Sequence, residues 1–311
     1  MAMKTYLVTG GAGFIGSHLC DALLRHGDSV RVLDDLSTGS RDNLPPDTPL
    51  TQADVADADA VRAAVADVDG VFHLAAIASV QRGITDWLGN HRANLTGTIT
   101  LFDAIRRRGT HVPVVYASSA AVYGDCATVP IHETAERRPL SAYGADKYAC
   151  ELHAHVACHV HAIPTTGLRF FNVYGPRQDP HSPYSGVISI FSERVARDAP
   201  IDIFGDGGQT RDFIYVADVV TALMTAMNHP STASPVFNVC TGTPTSVLEL
   251  ARAIADLAGA QPDIRHHPPR PGDIRRSVGV PDRARTALGF RAAMPLRDGL
   301  RNVLDWLATR R

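Results

Sequence analysis

The sequence predicts an α/β fold, a doubly wound parallel sheet with a smaller carboxy-terminal lobe. Three observations predict it. Over the first two-thirds of the chain, short runs that are apolar throughout alternate with helical patterns, as strands buried on both faces require. The first run ends in a glycine-rich turn that opens directly into a helical pattern. After residue 171 the texture changes to segments rich in Pro, Gly and Ser.

The first element is the most informative. Tyr6-Leu7-Val8 leads into Thr9-Gly10-Gly11-Ala12-Gly13-Phe14-Ile15-Gly16, and a helical pattern follows at once. Strand, glycine turn and helix in that order offer backbone N–H groups and a positive helix end to a pyrophosphate. Gly10 permits the tight turn, Gly13 lets phosphates approach the backbone, and Gly16 lets the helix pack on the strand. The second apolar run, at 30–33, ends at Asp34, about twenty residues on, where an acid accepts the ribose hydroxyls and repels a 2′-phosphate. The expected dinucleotide is therefore NAD.

Further strands are expected at 50–55, 71–74, 114–118 and 166–171, with helices near 17–25, 59–65, 95–108 and 145–159. Loops fill 174–184 and 204–210, and a helix at 216–227 and a strand at 236–239 return to the main sheet. A helix capped by Ser246, a basic Pro-rich loop at 266–273 and an amphipathic helix at 296–307 complete the chain. The expected partition is a Rossmann domain at 1–171 joined by 212–241, and a substrate-binding lobe at 172–211 and 242–311.

With 45% hydrophobic residues the chain can bury a sizeable core, and a net charge of -2 gives no reason to expect nucleic acid or a membrane surface as partner. The turn at Gly10 leaves no room for a signal peptide, and no apolar run spans a bilayer, so a cytoplasmic location is expected. Cys20, Cys126, Cys150, Cys158 and Cys240 show no paired spacing and read as buried thiols in a reducing compartment. His153, His155, Cys158, His159 and His161 lack a matching carboxylate pattern, so the histidines read as surface or interface residues and no metal is expected.

Tyr143-Gly144-Ala145-Asp146-Lys147 puts a phenol and an ammonium on one helix face. Oxidation of an alcohol needs a proton acceptor beside a hydride acceptor, and a phenol of ordinary pKa near 10 is a poor base. Lys147 and a positive nicotinamide both favour the phenolate, and holding it near pH 7 takes about 4 kcal/mol of differential stabilisation. The strand at 114–118 runs into Ser119, at the carboxyl end where open α/β sheets bind ligands. Ser119 is placed to hydrogen-bond the reacting oxygen and share its proton with Tyr143.

Taken together, these motifs resemble the extended short-chain dehydrogenase/reductases, and within them the UDP-sugar 4-epimerases. The likeness extends through His73-Leu74-Ala75-Ala76, Asn94-Leu95-Thr96-Gly97-Thr98, Leu168 to Arg177, Gly208 to Phe213 and Arg270-Pro271-Gly272-Asp273. It implies that Phe14, Ile15, Asp35, Ser37, Gly39, Asp54, Val55, Leu74, Ala75, Ala76, Asn94 and Phe171 line the cofactor with the glycines and Asp34. It implies that Asn172, the Gly186-Val187 turn, Phe204, Arg211, Arg270 and Asp273 line the UDP pocket. Two guanidiniums suit a pyrophosphate through paired charge-assisted hydrogen bonds.

Related dehydratases carry an Asp-Glu pair where this chain has Ala120 and Ala121, so elimination lacks its proton carriers. Ser277 matches a position beside the sugar 2-substituent, where a small residue leaves room for an N-acetyl group. The resemblance thus implies a UDP-sugar 4-epimerase with tightly bound NAD, acting on UDP-N-acetylhexosamines and UDP-hexoses. It implies a homodimer built from two helices per subunit, those at 95–108 and around Tyr143. A nucleotide-sugar reductase or dehydrogenase with exchangeable cofactor is the enzymatic alternative. An NAD-sensing scaffold is the non-enzymatic one, and the intact Tyr143/Lys147 pair argues against it.

Overall fold

The computed structural model describes residues 2–78, 80–110, 112–180, 186–270 and 272–310. Residues 181–184 of the loop expected at 174–184, and Pro271, lie outside them. The chain divides into two compact units: residues 1–122, 139–169 and 220–237 form the first, and 123–138, 170–219 and 238–311 the second.

The first unit is built on β1 (Thr5–Thr9), α1 (Phe14–His26), β2 (Ser29–Asp34), β3 (Leu50–Gln52), α2 (Ala58–Ala64) and β4 (Gly70–His73). Two short helices follow, α3 (Val80–Thr85) and α4 (Trp87–His91). A π-helical turn (Arg92–Thr96) then leads into α5 (Gly97–Arg108), β5 (Val114–Ser119), α6 (Ala142–His161) and β6 (Thr165–Phe170). The sheet order is 3-2-1-4-5-6, extended beyond β6 by the strand Val236–Val239. The pairs β1–β2, β1–β4, β2–β3 and β4–β5 are all parallel. The chain reverses its direction of travel across the sheet between β1 and β4, and in this topology ligands bind at the carboxyl ends of those strands.

Burial explains the pattern. Leu7, Leu33, Val71 and Val114 from four strands pack with Val61, Leu101, Ile105 and Ile163 in one apolar cluster. The expected strand at 50–55 stops at Gln52, because Asp54 turns the chain by accepting the Ala56 N–H at 2.8 Å. The helices α3 and α4 were not expected, since neither carries a full apolar period.

The second unit contains β7 (Asn172–Tyr174), α7 (Val187–Ala196), β8 (Ile201–Phe204) and β9 (Thr210–Tyr215), with α8 (Val216–Met227) leading away and β10 (Val236–Val239) leading back. It continues with β11 (Pro244–Ser246), α9 (Val247–Ala258), β12 (Ile264–His267), β13 (Arg276–Ser277), α10 (Asp282–Leu288) and α11 (Leu296–Ala308). A small mixed sheet centres on β9, flanked by β7, β11 and β13, while β12 pairs with β8. Ser246 caps α9 in a reciprocal capping box with Glu249. Strands of two to four residues escape a periodicity reading, and 204–210, expected as loop, includes the ends of β8 and β9.

Candidate active site

The glycine turn is as tight as its sequence requires. Gly10 has a φ of +71°, and a Cβ there would lie 2.6 Å from the Ala75 backbone nitrogen. A Cβ on Gly16 would run into the Gly10 carbonyl oxygen, so only glycine lets α1 start so close to β1. Gly11, which sequence reading passed over, faces the Val32 methyls, with 2.7 Å left for a Cβ. Gly13 caps α1 without a side chain, so no cap hydrogen bond covers the helix start formed by Phe14 and Ile15. Gly39 lies against Ala12, whose carbonyl accepts from Ser40 N–H at 3.1 Å and Asn43 Nδ2 at 2.9 Å.

Asp34 ends β2 and is buried. Its carboxylate accepts the Ala12 N–H at 2.9 Å and the Leu36 N–H at 2.9 Å, so it braces the glycine turn. Burial raises its pKa and those loop amides oppose the rise. Asp35 accepts from the Ser37 N–H and hydroxyl at 2.9 and 2.7 Å, an Asx turn at the surface. Asp54 pairs with Arg92 at 3.0 Å, and Val55 is buried against Gly97. Leu74 and Ala75 are tied to Thr9 through its carbonyl and hydroxyl, with Ala76 following half-buried. Asn94 is buried and spends its side-chain amide on the Ile77 N–H (2.8 Å) and carbonyl (3.3 Å). Asn94 thus shapes the loop beyond Ala76. An uncapped helix start without a Cβ at Gly13, an acid at the end of β2 and the Leu74–Ala76 wall together fit the diphosphate and adenosine of NAD.

At the end of β5, the Ser119 hydroxyl accepts the Ala121 N–H at 3.1 Å and hydrogen-bonds Tyr143. Ser141 caps α6 through the Gly144 N–H at 3.0 Å, and Gly144 leaves only 2.6 Å between a would-be Cβ and the Ala121 carbonyl oxygen. That close approach sets Tyr143 beside Ser119. Lys147, buried one turn on, donates to the Ala117 carbonyl at 2.8 Å, and its nitrogen lies 5.9 Å from the Tyr143 ring centre. Burial pushes the Tyr143 phenol up to about 12, with the Ser119 hydrogen bond acting the other way. In this structure burial outweighs whatever lowering Lys147 supplies, since its ammonium bonds a backbone carbonyl and not the phenol.

The buried side of α6 carries groups that sequence reading missed. Asp146 accepts from Asn90 Nδ2 at 2.8 Å and His91 Nδ1 at 2.9 Å. Glu151 accepts from the Ser118 hydroxyl at 2.5 Å and forms a buried two-point pair with Arg169 at 2.8 and 2.7 Å. Spacing by four from Tyr143 through Lys147 to Glu151 was the available signal. Cys20, Cys150, Cys158 and Cys240 are buried, while Cys126 is only half-buried, a correction to the expectation for all five.

In the second unit, β9 organises the candidate substrate residues. Arg211 pairs in register with Ser277 of β13, and Asn172 of β7 pairs with Phe213. Residues 211 and 213 share a face, so Arg211, Ser277 and Asn172 do too. Arg211 donates to Asp273 at 2.6 Å and to the Ile274 carbonyl at 2.7 Å. The Arg270 guanidinium stacks 3.9 Å over the Phe204 ring. One face of Phe204 is therefore covered by a cation. The Gly186-Val187 turn is the start of a helix: Gly186 caps α7, and Val187 is its first residue. Phe171 is buried, its ring filling the space a Gly279 side chain would need. Asp212 accepts from Thr241 N–H and hydroxyl (2.8 and 2.7 Å), Gly242 N–H (2.8 Å) and Gly279 N–H (3.3 Å), tying the strand that bears Ser277 to β9.

Among the described residues no three His, Cys, Asp or Glu side chains converge as metal ligands would, and no helix is long and apolar enough to cross a membrane.

The chain is similar to proteins of known name over nearly its whole length. The chain is 40% identical to a UDP-glucose 4-epimerase of Mycolicibacterium smegmatis, over 98% of each chain. A UDP-N-acetylglucosamine 4-epimerase from Methanobrevibacter ruminantium, solved with UDP-N-acetylmuramic acid, superposes with a TM-score of 0.95 at 34% identity over 100% of both chains. A UDP-glucose 4-epimerase of Thermus thermophilus, solved with NAD, gives a TM-score of 0.90 at 38% identity, covering 98% of this chain and 99% of that one. The model of the NAD dependent epimerase/dehydratase family matches residues 6–240, and the chain belongs to that family.

Proposed function

We propose that this chain is a UDP-sugar 4-epimerase that interconverts UDP-N-acetylglucosamine and UDP-N-acetylgalactosamine, and also accepts the plain UDP-hexoses. The observation that carries the reading is the Ser119–Tyr143 hydrogen bond followed directly by Ala120 and Ala121. The site has an alcohol-handling pair, and the alanines at 120 and 121 carry no proton for eliminating water.

Tyr143 takes the proton of the sugar 4-hydroxyl, and Ser119 holds that oxygen. The glycine turn, Asp34 and Leu74–Ala76 would hold NAD, which when bound would supply the acceptor and donor of the C4 hydride. Arg211 and Arg270 hold the diphosphate while the keto-sugar turns its other face to Tyr143, which then returns the proton. Most binding energy should therefore sit on the nucleotide. Ser277, in register with Arg211, supports acceptance of the N-acetyl group.

Two copies associate through α5 and α6. Leu152, Val156 and Val160 stand 54, 48 and 68% exposed at four-residue spacing along α6, and Ile99 of α5 is 39% exposed. Exposed apolar residues gathered on one helix face suit a protein–protein contact.

The test is to incubate the purified protein separately with UDP-N-acetylglucosamine and UDP-glucose, with no added cofactor, and to chromatograph for the C4-inverted product. Product from the N-acetyl substrate supports the reading. Reaction only when stoichiometric NADH is consumed overturns it in favour of a reductase.

A further inference from the structure

His73 ends β4 and is 3% exposed. Its Nδ1 lies 2.8 Å from the Thr9 hydroxyl and its Nε2 2.9 Å from the Thr98 hydroxyl. Each hydroxyl has a single proton to give. Thr98 donates its proton to the Asn94 carbonyl at 2.6 Å, so its oxygen can only accept from the ring, and Nε2 must carry hydrogen. On the other side, the Thr9 oxygen accepts the Ala75 N–H at 3.2 Å, which leaves its own proton for Nδ1. The neighbours thus dictate a neutral imidazole in the Nε2–H tautomer. A second ring proton would make the Thr9 oxygen accept from both Nδ1–H and the Ala75 N–H, turning its own proton away from the ring. Burial and the nearby Lys147 charge also disfavour the cation, lowering its pKa to about 3.

The ring has two arms. Through Thr9 it reaches the Ala75 N–H, in the segment expected to wall the cofactor. Through Thr98 it reaches Cys150, whose sulfur is 3.2 Å from the Thr98 oxygen and which follows Lys147 by one turn on α6. The Asn94 carbonyl that takes the Thr98 proton belongs to the residue whose side chain clamps Ile77.

We propose that His73 is a positioning residue, a tautomer-locked neutral ring that couples the cofactor-lining segment 74–76 to the helix bearing Tyr143 and Lys147. The arm toward Tyr143 rests on the epimerase reading, whereas the arm toward Ala75 does not. Asparagine can place its Oδ1 where Nδ1 stands and keep the Thr9 arm. Glutamine can place its Nε2 where the ring Nε2–H stands and keep the Thr98 arm.

The experiment combines nitrogen NMR of histidine-labelled native protein with NAD content and turnover of His73→Asn and His73→Gln. The His73 signal, identified by its loss in His73→Asn, should stay in the neutral Nε2–H form from about pH 5 to 8, across the range where an ordinary histidine titrates. His73→Asn should keep native NAD content while kcat falls about tenfold to a hundredfold, because α6 is released. His73→Gln should lose NAD content while kcat per loaded site stays within about threefold of native, since catalytic geometry is retained. A titrating signal or an Nδ1–H tautomer overturns the proposal, and so does equal loss of NAD and turnover in both variants. A native protein that retains NAD but does not epimerise would sink the reading of the site alone, and the tautomer and NAD content would still decide His73.

Discussion

The Lys147 ammonium stands 5.9 Å from the Tyr143 ring centre and gives its hydrogen bond to Ala117. The cation therefore acts on the phenol through space. At that separation and an effective dielectric near 20, it is worth about 3 kcal/mol, short of the roughly 4 kcal/mol needed to hold a phenolate near pH 7, and burial works against it. The Ser119 hydrogen bond and the positive charge of a bound nicotinamide have to supply the rest.

Replacing Lys147 with methionine should then move the ionisation that limits kcat/KM upward by about 2 pH units, the equivalent of about 3 kcal/mol. A pH-rate profile of Lys147→Met against native enzyme checks this. An unmoved limb would show that Lys147 does not tune the base.

Tyr143→Phe removes the proton carrier and leaves the ring. Turnover should fall about 10²–10⁴-fold, the usual worth of a positioned acid–base group, with NAD content unchanged. Near-native turnover would assign the base elsewhere.

Ser277→Tyr should put a ring where the N-acetyl group is proposed to lie. Overpacking of about 1–3 kcal/mol lowers kcat/KM for the N-acetyl pair about fivefold to 150-fold and spares UDP-glucose. Equal loss on both substrates would remove Ser277 from the specificity account.

Acid stability reports His73. In the unfolded chain it takes up a proton below about pH 6.5, whereas the folded ring stays neutral down to about 3. The unfolded state thus binds more protons in that window, and this contribution is full above 6.5 and lost as pH falls. It adds up to about 1.4 kcal/mol of lost stability per pH unit. Denaturant melts at pH 6.5 and 4.5 should show a smaller difference in His73→Asn than in native protein. An unchanged difference would mean that the folded ring titrates normally.

Much of this was legible in the sequence wherever function demands local pattern. Gly10, Gly13 and Gly16 announce the turn, Asp34 the end of β2, and Tyr143 with Lys147 the candidate catalytic face of α6. What stayed hidden depends on distant partners. His73 looks like an ordinary strand residue until Thr9 and Thr98 are brought to its two nitrogens. The β13 strand is two residues long and exists only because β9 pairs with it. The raised Tyr143 pKa follows from burial, and a spacing of four cannot report burial.

The central claim is that hydride leaves the sugar C4 and returns to the same carbon, with Tyr143 moving only the proton. The most direct measurement follows a UDP-hexose carrying deuterium at C4 through epimerisation in ordinary water, by mass spectrometry and proton NMR of the product. The account predicts inverted product that keeps its deuterium at C4. Inverted product in which solvent hydrogen has replaced the label would contradict it.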